Sequence, residues 1–230
     1  EVVEPKDTSN GSITATGNIV TRYEYDSVDQ LTKITQGSQT REFKYDSLGR
    51  MLAQKLAEQD ASINDSGTYV GAAGSGRKWS DYFTYDDKNN LTQRIDARGV
   101  KTNFVYNSDA LNRLQSINFD KTGADTSNGT IHEAPNITYT YMTAGDKERI
   151  KTITAAGDTI ETYTYDVEGR VSDYEMKLLS RTSYPMKTSY LYDTANRLTE
   201  VRYPSAYGMT GSYRKIVNVA YDQTSRLNEL

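Results

Sequence analysis

The chain of 230 residues contains no cysteine and a single histidine, His132. Without cysteine there can be no disulfide framework, no thiolate nucleophile and no cysteine-based zinc site, and one histidine leaves a histidine-based zinc site without enough ligands. Large apolar residues are also scarce, since Leu, Ile, Val and Phe together number 41, about 18% of the chain. The longest apolar runs are only a few residues long, so we expect no membrane-spanning helix.

The chain also lacks a large excess of charge of either sign. The formal net charge is only −4, with both signs dispersed along the chain, so no basic stripe for nucleic acid is present. The chain opens at Glu1 without a basic and then apolar leader. We therefore expect either a mature product or a piece of a larger polypeptide.

Tyrosine and threonine are abundant, with 19 and 28 residues respectively. A tyrosine can bury its ring while its hydroxyl keeps a hydrogen-bond partner, and both residue types favour a pleated, half-buried surface. The composition therefore favours an all-β fold in which tyrosine supplies much of the packing.

An internal repeat organises the chain. Each complete unit starts with Tyr-Asp and continues to an arginine, glutamine or asparagine and then an apolar residue. The complete units start at Tyr25-Asp26, Tyr45-Asp46, Tyr85-Asp86, Tyr165-Asp166, Tyr192-Asp193 and Tyr221-Asp222. Two degenerate units carry insertions: Tyr106-Asn107 reaches Arg113, and Tyr141-Met142 reaches Arg149. The basic period is about 20 residues, and the interval of 40 between Tyr45 and Tyr85 leaves room for a worn copy.

Each unit predicts a β-hairpin. Residues alternate ahead of each Tyr-Asp, in most units with aromatics on one face, which is a strand signal. The aspartate then starts a turn because its carboxylate can accept from a backbone N–H two residues on. Gly49 and Gly169 would supply positive φ in that turn, and Asn90 and Asn196 tolerate it. Successive hairpins predict one antiparallel strip over residues 1–230, with about 16 strands. So wide a sheet should curl, with repeat tyrosines stacked on one another.

Two stretches interrupt the rhythm, near 56–80 and 120–136, and are predicted to be long loops or worn repeats. The repeat resumes after each, so we expect no domain boundary and no separate catalytic domain. The run Gly71–Gly76 lacks the Lys-Ser or Lys-Thr pair of a phosphate-binding loop.

The repeated charged residues allow two interpretations. The aspartates Asp26, Asp46, Asp86, Asp166, Asp193 and Asp222 could form calcium sites or catalytic carboxylate pairs, but one turn cap per hairpin explains all six. The turn arginines Arg50, Arg113, Arg149, Arg170, Arg197 and Arg226 could bind anions, pair with carboxylates of neighbouring hairpins or stack on tyrosine faces. We favour the structural role for both sets. His132 is expected in an exposed loop, and Trp79 is expected to be a packing anchor, with a sugar-stacking platform as the alternative.

The unit Tyr-Asp-x-x-Gly-Arg-Leu resembles the YD repeat of the Rhs family, and the resemblance covers about residues 22–230. Relatives of this pattern occur in bacterial Rhs polymorphic toxins, insecticidal toxin-complex B and C components, wall-associated proteins and teneurins. The resemblance implies a segment of a hollow β-shell that encloses a toxic polypeptide. The self-cleaving core motif of Rhs toxins does not follow these repeats, so neither self-cleavage nor toxin activity is carried over.

From the repeats and this resemblance we expect a non-enzymatic structural segment of an exported protein, without cofactor or metal. Its expected partners are the remainder of a larger YD-repeat polypeptide and an enclosed protein cargo, and its expected location is secreted or on the surface of a bacterial cell. The alternative is a carbohydrate-binding or adhesion module that holds cell-surface glycans.

Overall fold

The computed structural model describes residues 2–4, 19–57, 79–108, 110–126, 129–132, 134–145, 148–181, 185–204 and 215–229. Within these residues sixteen strands form one sheet in chain order, and two further strands form a separate pair. Neighbouring strands run antiparallel, as in the pairs β2–β3 and β12–β13 of the numbering given below. The expected fold class, all-β with consecutive antiparallel hairpins in one sheet, is confirmed.

The strands of the large sheet are β1 (Val2–Glu4), β2 (Ile19–Tyr25), β3 (Leu31–Gln36), β4 (Gln39–Tyr45), β5 (Met51–Lys55), β6 (Asp81–Tyr85), β7 (Leu91–Asp96), β8 (Lys101–Tyr106), β9 (Leu114–Asp120), β10 (Ile137–Tyr141), β11 (Ile150–Ala155), β12 (Thr159–Tyr165), β13 (Val171–Leu178), β14 (Met186–Tyr192), β15 (Leu198–Arg202) and β16 (Ile216–Asn218). The separate pair is β17 (Ala220–Tyr221) with β18 (Leu227–Glu229). A short 3-10 helix, Leu179–Arg181, follows β13. No helix in the described part of the chain is long and apolar enough to cross a membrane.

Contacts between residues divide the chain into two compact units. The first consists of Glu1–Phe104 with Phe119–Glu133, and the second of Val105–Asn118 with Ala134–Leu230. The first unit contains the hairpins β2–β3, β4–β5 and β6–β7, and the second contains β10–β11, β12–β13, β14–β15 and β17–β18. Each unit therefore holds several copies of the repeat.

The alternating residues of a unit meet across its hairpin. In the pair β12–β13, Tyr163 lies opposite Tyr174, and their ring centroids are 5.3 Å apart. The register shifts between Thr164 and Tyr165, which places a β-bulge at the end of the strand. The same shift immediately precedes the repeat tyrosine in β2–β3, β4–β5, β6–β7, β10–β11, β14–β15 and β17–β18. The bulge is thus part of the repeat.

Burial is shallow throughout the described residues. Few apolar side chains there are buried, namely Ala53, Trp79, Ile95, Ile131 and Val201, and no large side chain is completely enclosed. Most strand residues are half-buried. Since little of the chain lies in a deep core, the contacts between one hairpin and the next must supply much of the stability.

Across the long interval between Tyr45 and Tyr85, no described strand lies between β5 and β6 in the sheet. Strand β5 pairs directly with β6, with Ala53 opposite Tyr82. Residues 58–78, including the run Gly71–Gly76, lie outside the described residues. The second interruption begins one residue later than expected because β9 extends to Asp120, and its described residues after that point form a turn and irregular segments.

Candidate functional site: Asp turns and arginine latches

The repeat builds a compact turn, here called the Asp turn, which the five residues Asp166 to Arg170 represent. The Asp166 N–H donates to the Arg170 carbonyl at 2.9 Å, and the Gly169 N–H donates to the Asp166 carbonyl at 3.0 Å. The Asp166 Oδ1 accepts from the Arg170 N–H at 2.8 Å. Gly169 has φ +81°, so the turn closes through one left-handed residue, as in a type I turn followed by a bulge.

The same turn recurs in the other complete units. Its aspartate N–H donates to the carbonyl four residues on, at 2.9–3.0 Å, in the turns Asp26–Gln30, Asp46–Arg50, Asp86–Asn90, Asp193–Arg197 and Asp222–Arg226. The residue three positions after the aspartate is left-handed in each of these, namely Asp29, Gly49, Asn89, Asn196 and Ser225. The expectation that Asn90 adopts positive φ was therefore wrong by one position. Asn90 stands where other units have arginine, and its amide donates to the Asp86 Oδ2 at 2.8 Å.

The degenerate units keep the outer hydrogen bond of the turn despite their insertions. The Asn107 N–H donates to the Arg113 carbonyl at 2.7 Å, and the Met142 N–H donates to the Arg149 carbonyl at 2.9 Å. Arg113 and Arg149 therefore start their second strands in the same way as the arginines of the complete units.

One further Asp turn lies outside the Tyr-Asp units. Asp96 follows β7, and its Oδ1 accepts from the N–H groups of Arg98 and Val100, both at 2.9 Å. The Gly99 N–H closes the turn on the Asp96 carbonyl, and Gly99 has φ +87°. The spacing Asp-x-x-Gly, shared with Asp46 and Gly49, was the available signal. The repeat pattern did not identify the Asp96 cap because no tyrosine precedes Asp96.

The turn arginine joins its own hairpin to the next one. The Arg170 Nε donates to the Asp166 Oδ2 of its own turn at 2.7 Å, while an Arg170 terminal nitrogen donates to the Asn196 Oδ1 of the next turn at 2.7 Å. The guanidinium carbon lies 4.6 Å from the ring centroid of Tyr192, and the Tyr192 hydroxyl donates back to the Val171 carbonyl at 3.0 Å. We call this reciprocal contact an arginine latch.

Five latches occur among the described residues. The guanidinium-to-ring distances are 4.9 Å for Arg50–Tyr85, 4.4 Å for Arg113–Tyr141, 5.3 Å for Arg149–Tyr165, 4.6 Å for Arg170–Tyr192 and 4.8 Å for Arg197–Tyr221. In the first four, the tyrosine hydroxyl donates to the residue that follows the arginine, through the carbonyls of Met51, Leu114, Ile150 and Val171. Four consecutive latches therefore run through the second unit.

The left-handed position of the turn has a second role in the latch. Its side chain accepts from the arginine of the preceding hairpin in the pairs Arg50–Asn89, at 2.9 Å, and Arg197–Ser225, at 3.0 Å. Where this position is Gly169, the guanidinium of Arg149 lies so close that an added Cβ would overlap it. Glycine at this position thus provides both positive φ and room for the latch.

The structure gives the repeat tyrosines a different neighbour from the expected one. We expected repeat tyrosines to stack on one another, but in the five latches an arginine of the preceding hairpin stacks on the repeat tyrosine. The Tyr163–Tyr174 ring pair lies within one hairpin. Arg50, Arg170 and Arg197 bond carboxylates of their own turns rather than those of neighbouring hairpins. Tyr25, whose ring has no described arginine over it, is 59% exposed, whereas Tyr85, Tyr141, Tyr165, Tyr192 and Tyr221 are half-buried.

The electrostatics of the turns follow from these bonds. The backbone N–H of Arg197, together with its guanidinium, holds the pKa of the Asp193 carboxyl below its usual value despite partial desolvation. At Asp166, desolvation raises the pKa, but the bonds and charge of Arg170 outweigh it and the pKa is lowered. Burial raises the pKa of Tyr192, the Asp166 charge adds to that effect, and Arg170 opposes it. The carboxylates are therefore stabilised in their charged form by their own turns.

The contacts of the turn carboxylates, His132 and Trp79 bear on three alternatives: a metal site, a catalytic site and a sugar-binding site. Each turn carboxylate already accepts from its own backbone, and no group of three metal-ligating side chains occurs in the described part of the chain. His132 is exposed beside the buried Ile131. Trp79 is 9% exposed, which agrees with a packing anchor and leaves little ring surface for a sugar.

Comparison with known proteins adds a relationship in fold. No protein-family model matches the chain, and no curated protein matches it. The crystal structure of TcdB2-TccC3-Cdc42 matches 94% of this chain with a TM-score of 0.66 at 14% identity. TcdB2-TccC3-TEV matches 93% with a TM-score of 0.64 at 15% identity. A Tc holotoxin pore of Photorhabdus luminescens matches 92% with a TM-score of 0.60 at 17% identity.

These matches define the fold and no more. The chain spans about a tenth of the length of each of the matched toxin-complex chains, since the matches cover 10% of them. The chain thus shares the fold of a segment of toxin-complex proteins.

Proposed function

We propose that the chain is a non-enzymatic wall segment of an exported, toxin-associated protein and that this wall encloses or displays a polypeptide cargo. The observation that carries the proposal is the row of arginine latches. Each latch places the guanidinium of one hairpin over a tyrosine ring of the next. In four of the five, the tyrosine hydroxyl also bonds a carbonyl of the first hairpin. Such a joint can be repeated many times, so a wall can be extended by adding hairpins.

The shallow burial supports a wall rather than a compact catalytic domain. Charged side chains of the described repeat units take part in turns and latches. The arginine–carboxylate pairs of Arg50, Arg170 and Arg197 all lie within a turn. The aspartates that the sequence offered as catalytic candidates therefore already have structural partners. These structural contacts support a non-enzymatic role.

The relationships in sequence pattern and fold support the toxin-associated part of the proposal. The Tyr-Asp repeats resemble those of Rhs proteins, and the fold is similar to segments of the TcdB2-TccC3 structures and of a Tc holotoxin pore. On this proposal, the chain belongs to a longer exported bacterial polypeptide, and a cargo lies against its wall.

Protease protection in the complete polypeptide tests the proposal. In the native polypeptide the cargo segment should survive a protease that digests the same segment when it is produced alone. The double variant Arg170→Gln and Arg197→Gln, which weakens two latches, should shorten that survival. Arg98→Gln is the control, because it removes one arginine charge from an Asp turn that has no latch. Equal digestion of the enclosed and the free cargo would contradict the proposal.

Glycan binding tests the adhesion alternative. The purified chain should show no saturable binding on a glycan array, because Trp79 is buried. Saturable binding that is lost on alanine substitution of the exposed Tyr23 and Tyr25 would instead favour a carbohydrate-binding module.

A further inference from the structure

One face of the second unit carries a row of directly opposed residues that crosses five strands, β10 to β14. Tyr139 lies opposite Ile153, which lies opposite Glu161. Glu161 lies opposite Met176, which lies opposite Met186. Directly opposed residues of antiparallel strands share one face of the sheet, so Glu161 is a single carboxylate in the middle of an apolar and aromatic row. It is half-buried there.

Two tyrosines lie beside this carboxylate. The Tyr163 hydroxyl donates to the Glu161 Oε2 at 2.9 Å, and the ring centroids of Tyr163 and Tyr174 are 5.3 Å apart. Burial raises the pKa of Tyr163, and the bond to Glu161 raises it further. Burial also raises the pKa of Tyr174, and the Glu161 charge adds to that effect. Both phenols therefore stay neutral. Since a carboxylate has about four lone-pair sites, the Tyr163 bond leaves room for further donors.

Glu161 differs from the neighbouring strand carboxylates in its lack of a basic partner. The three other acidic residues in β10–β16 each form an ion pair, namely Asp173–Lys187, Glu175–Lys177 and Glu200–Arg202. Asp173 and Glu175 lie on the opposite face, because they alternate with Tyr174 and Met176 along β13. No lysine or arginine in the described ranges of the chain pairs with Glu161. A polypeptide that covers this face must therefore bring a cation to Glu161, because a covered carboxylate without a countercharge is costly.

We propose that Glu161 is the docking point for an arginine side chain of the cargo, with Tyr163 and Tyr174 beside the bound guanidinium. The inference rests on the proposed function, since it names the chemistry that the cargo presents to this face of the wall. Ile153 and Met176, which lie opposite Glu161 on its two sides, offer apolar surface to the stem of the arginine.

The chain holds its own arginines with the same groups. In the latch of Arg170, the Asp166 carboxylate accepts from the guanidinium at 2.7 Å, and the ring centroid of Tyr192 lies 4.6 Å from the guanidinium carbon. Bonds between a guanidinium and a carboxylate are charge-assisted, and an aromatic ring adds a cation–π attraction. A carboxylate beside tyrosine rings is thus an arginine site elsewhere in this sheet, which favours arginine over lysine as the docked residue.

Titration of the purified chain with synthetic peptides tests the site. The probe is Val-Ser-Leu-Ser-Arg-Ser-Leu-Ser-Val, acetylated and amidated so that the arginine carries its only charge, and calorimetry measures the affinity. The control peptide has citrulline, which keeps the shape of arginine without its charge. The arginine peptide should bind at least about tenfold more tightly than the citrulline peptide, and added salt should reduce the difference.

Substitutions separate the charge of Glu161 from charge in general. Glu161→Gln keeps an acceptor for the Tyr163 hydroxyl and should lower the affinity for the arginine peptide to that of the citrulline peptide. Glu175→Gln, on the opposite face, is the matched control and should leave the affinity unchanged. Glu161→Lys should reverse the preference, so that a peptide with glutamate in place of arginine binds better than the arginine peptide.

Three results would overturn the proposal. These are no saturable binding of the arginine peptide up to about 1 mM, equal affinities for the arginine and citrulline peptides, and equal effects of Glu161→Gln and Glu175→Gln. The first two comparisons use the unaltered chain, so they do not depend on the folding of any variant. The titrations use the chain alone, whereas protease protection uses the complete polypeptide. A failure of arginine docking is therefore distinguishable from a failure of cargo enclosure.

Discussion

Two junctions between hairpins differ in the residue that ends the Asp turn. At the junction between the turns of Asp166 and Asp193, Arg170 bonds the Asp166 carboxylate and covers the ring of Tyr192. At the junction between the turns of Asp26 and Asp46, Gln30 occupies the corresponding position, and its amide lies beside Gly49. Burial raises the pKa of Tyr45, and the Asp26 carboxylate raises it further.

The turn itself is the same at both junctions. The Asp26 N–H bonds the Gln30 carbonyl at 2.9 Å, as the Asp166 N–H bonds the Arg170 carbonyl at 2.9 Å. The turn therefore forms with glutamine as well as with arginine at its last position, and the arginine provides the contact with the next hairpin. The repeat motif thus has two separable parts: a local turn and a latch between hairpins.

Removal of a latched ring should have the largest effect. Tyr192→Ala loses the half-buried ring, its stacking under Arg170 and its bond to the Val171 carbonyl, so we expect a loss of about 2–4 kcal/mol in the free energy of unfolding. Urea denaturation measures this change. Tyr25→Ala is the control, since Tyr25 is exposed and has no described latch; it should change stability by less than about 0.5 kcal/mol. Similar losses for both variants would contradict the latch.

The two turn glycines should differ because of the arginine. Both have positive φ, +81° at Gly169 and +80° at Gly49. An alanine Cβ at 169 would overlap the Arg149 guanidinium, whereas at 49 it would meet the flexible end of Gln30 at 2.9 Å. We expect about 1 kcal/mol for Gly49→Ala from the left-handed backbone, and about 2 kcal/mol for Gly169→Ala. Thermal denaturation of both variants measures the two losses of stability. A smaller loss for Gly169→Ala than for Gly49→Ala would contradict the prediction.

Exchange of the two junction residues should move stability in opposite directions. Arg170→Gln removes the cation over Tyr192 and the bond to Asn196, and should destabilise the chain by about 1–2 kcal/mol. Gln30→Arg should place a cation over Tyr45 and stabilise the chain by about 0.5–1 kcal/mol. The gain should vanish in a Tyr45→Leu background. A gain that persists there would show that the new arginine acts elsewhere.

Lowering the pH should destabilise the Asp turns. The change in unfolding free energy should be smaller than for the substitutions above. The pKa of Asp193 is lowered by the Arg197 N–H and guanidinium, so the folded state binds its proton less readily than the unfolded state. The resulting stability is complete above the unfolded pKa of about 4 and is lost as pH falls through the lower folded pKa. Urea denaturation from pH 6 to about pH 3 should show this decline. Asp193→Asn should reduce its slope, and an unchanged slope would contradict the assignment.

The sequence predicted the hairpins well because the Asp turn is local. The carboxylate of Asp46 accepts from N–H groups only two and four residues on, so spacing alone identifies the turn. The latch is different. Arg170 reaches Tyr192 in the next hairpin, and that contact depends on strand register and on the bulge before the tyrosine. The sequence therefore left open whether the turn arginine would contact a carboxylate or an aromatic ring. In the structure Arg170 bonds the Asp166 carboxylate of its own hairpin and stacks on the Tyr192 ring of the next hairpin.

Two local features of the turns were not predicted. Asn89, rather than Asn90, is left-handed, because the count of three from Asp86 matters more than residue type when two asparagines adjoin. The cap of Asp96 was not predicted because the repeat was defined by its tyrosine, which belongs to the latch and not to the turn.

A double-mutant cycle on Arg170 and Tyr192 tests the latch most directly. We would measure the unfolding free energies of Arg170→Gln, Tyr192→Leu and the double variant, alongside the same cycle for Gln30→Ala and Tyr45→Leu. The account predicts a coupling energy of about 1 kcal/mol between Arg170 and Tyr192 and a value near zero for the glutamine junction. Additive effects at the arginine junction, within about 0.3 kcal/mol, would show that the arginine does not join the hairpins.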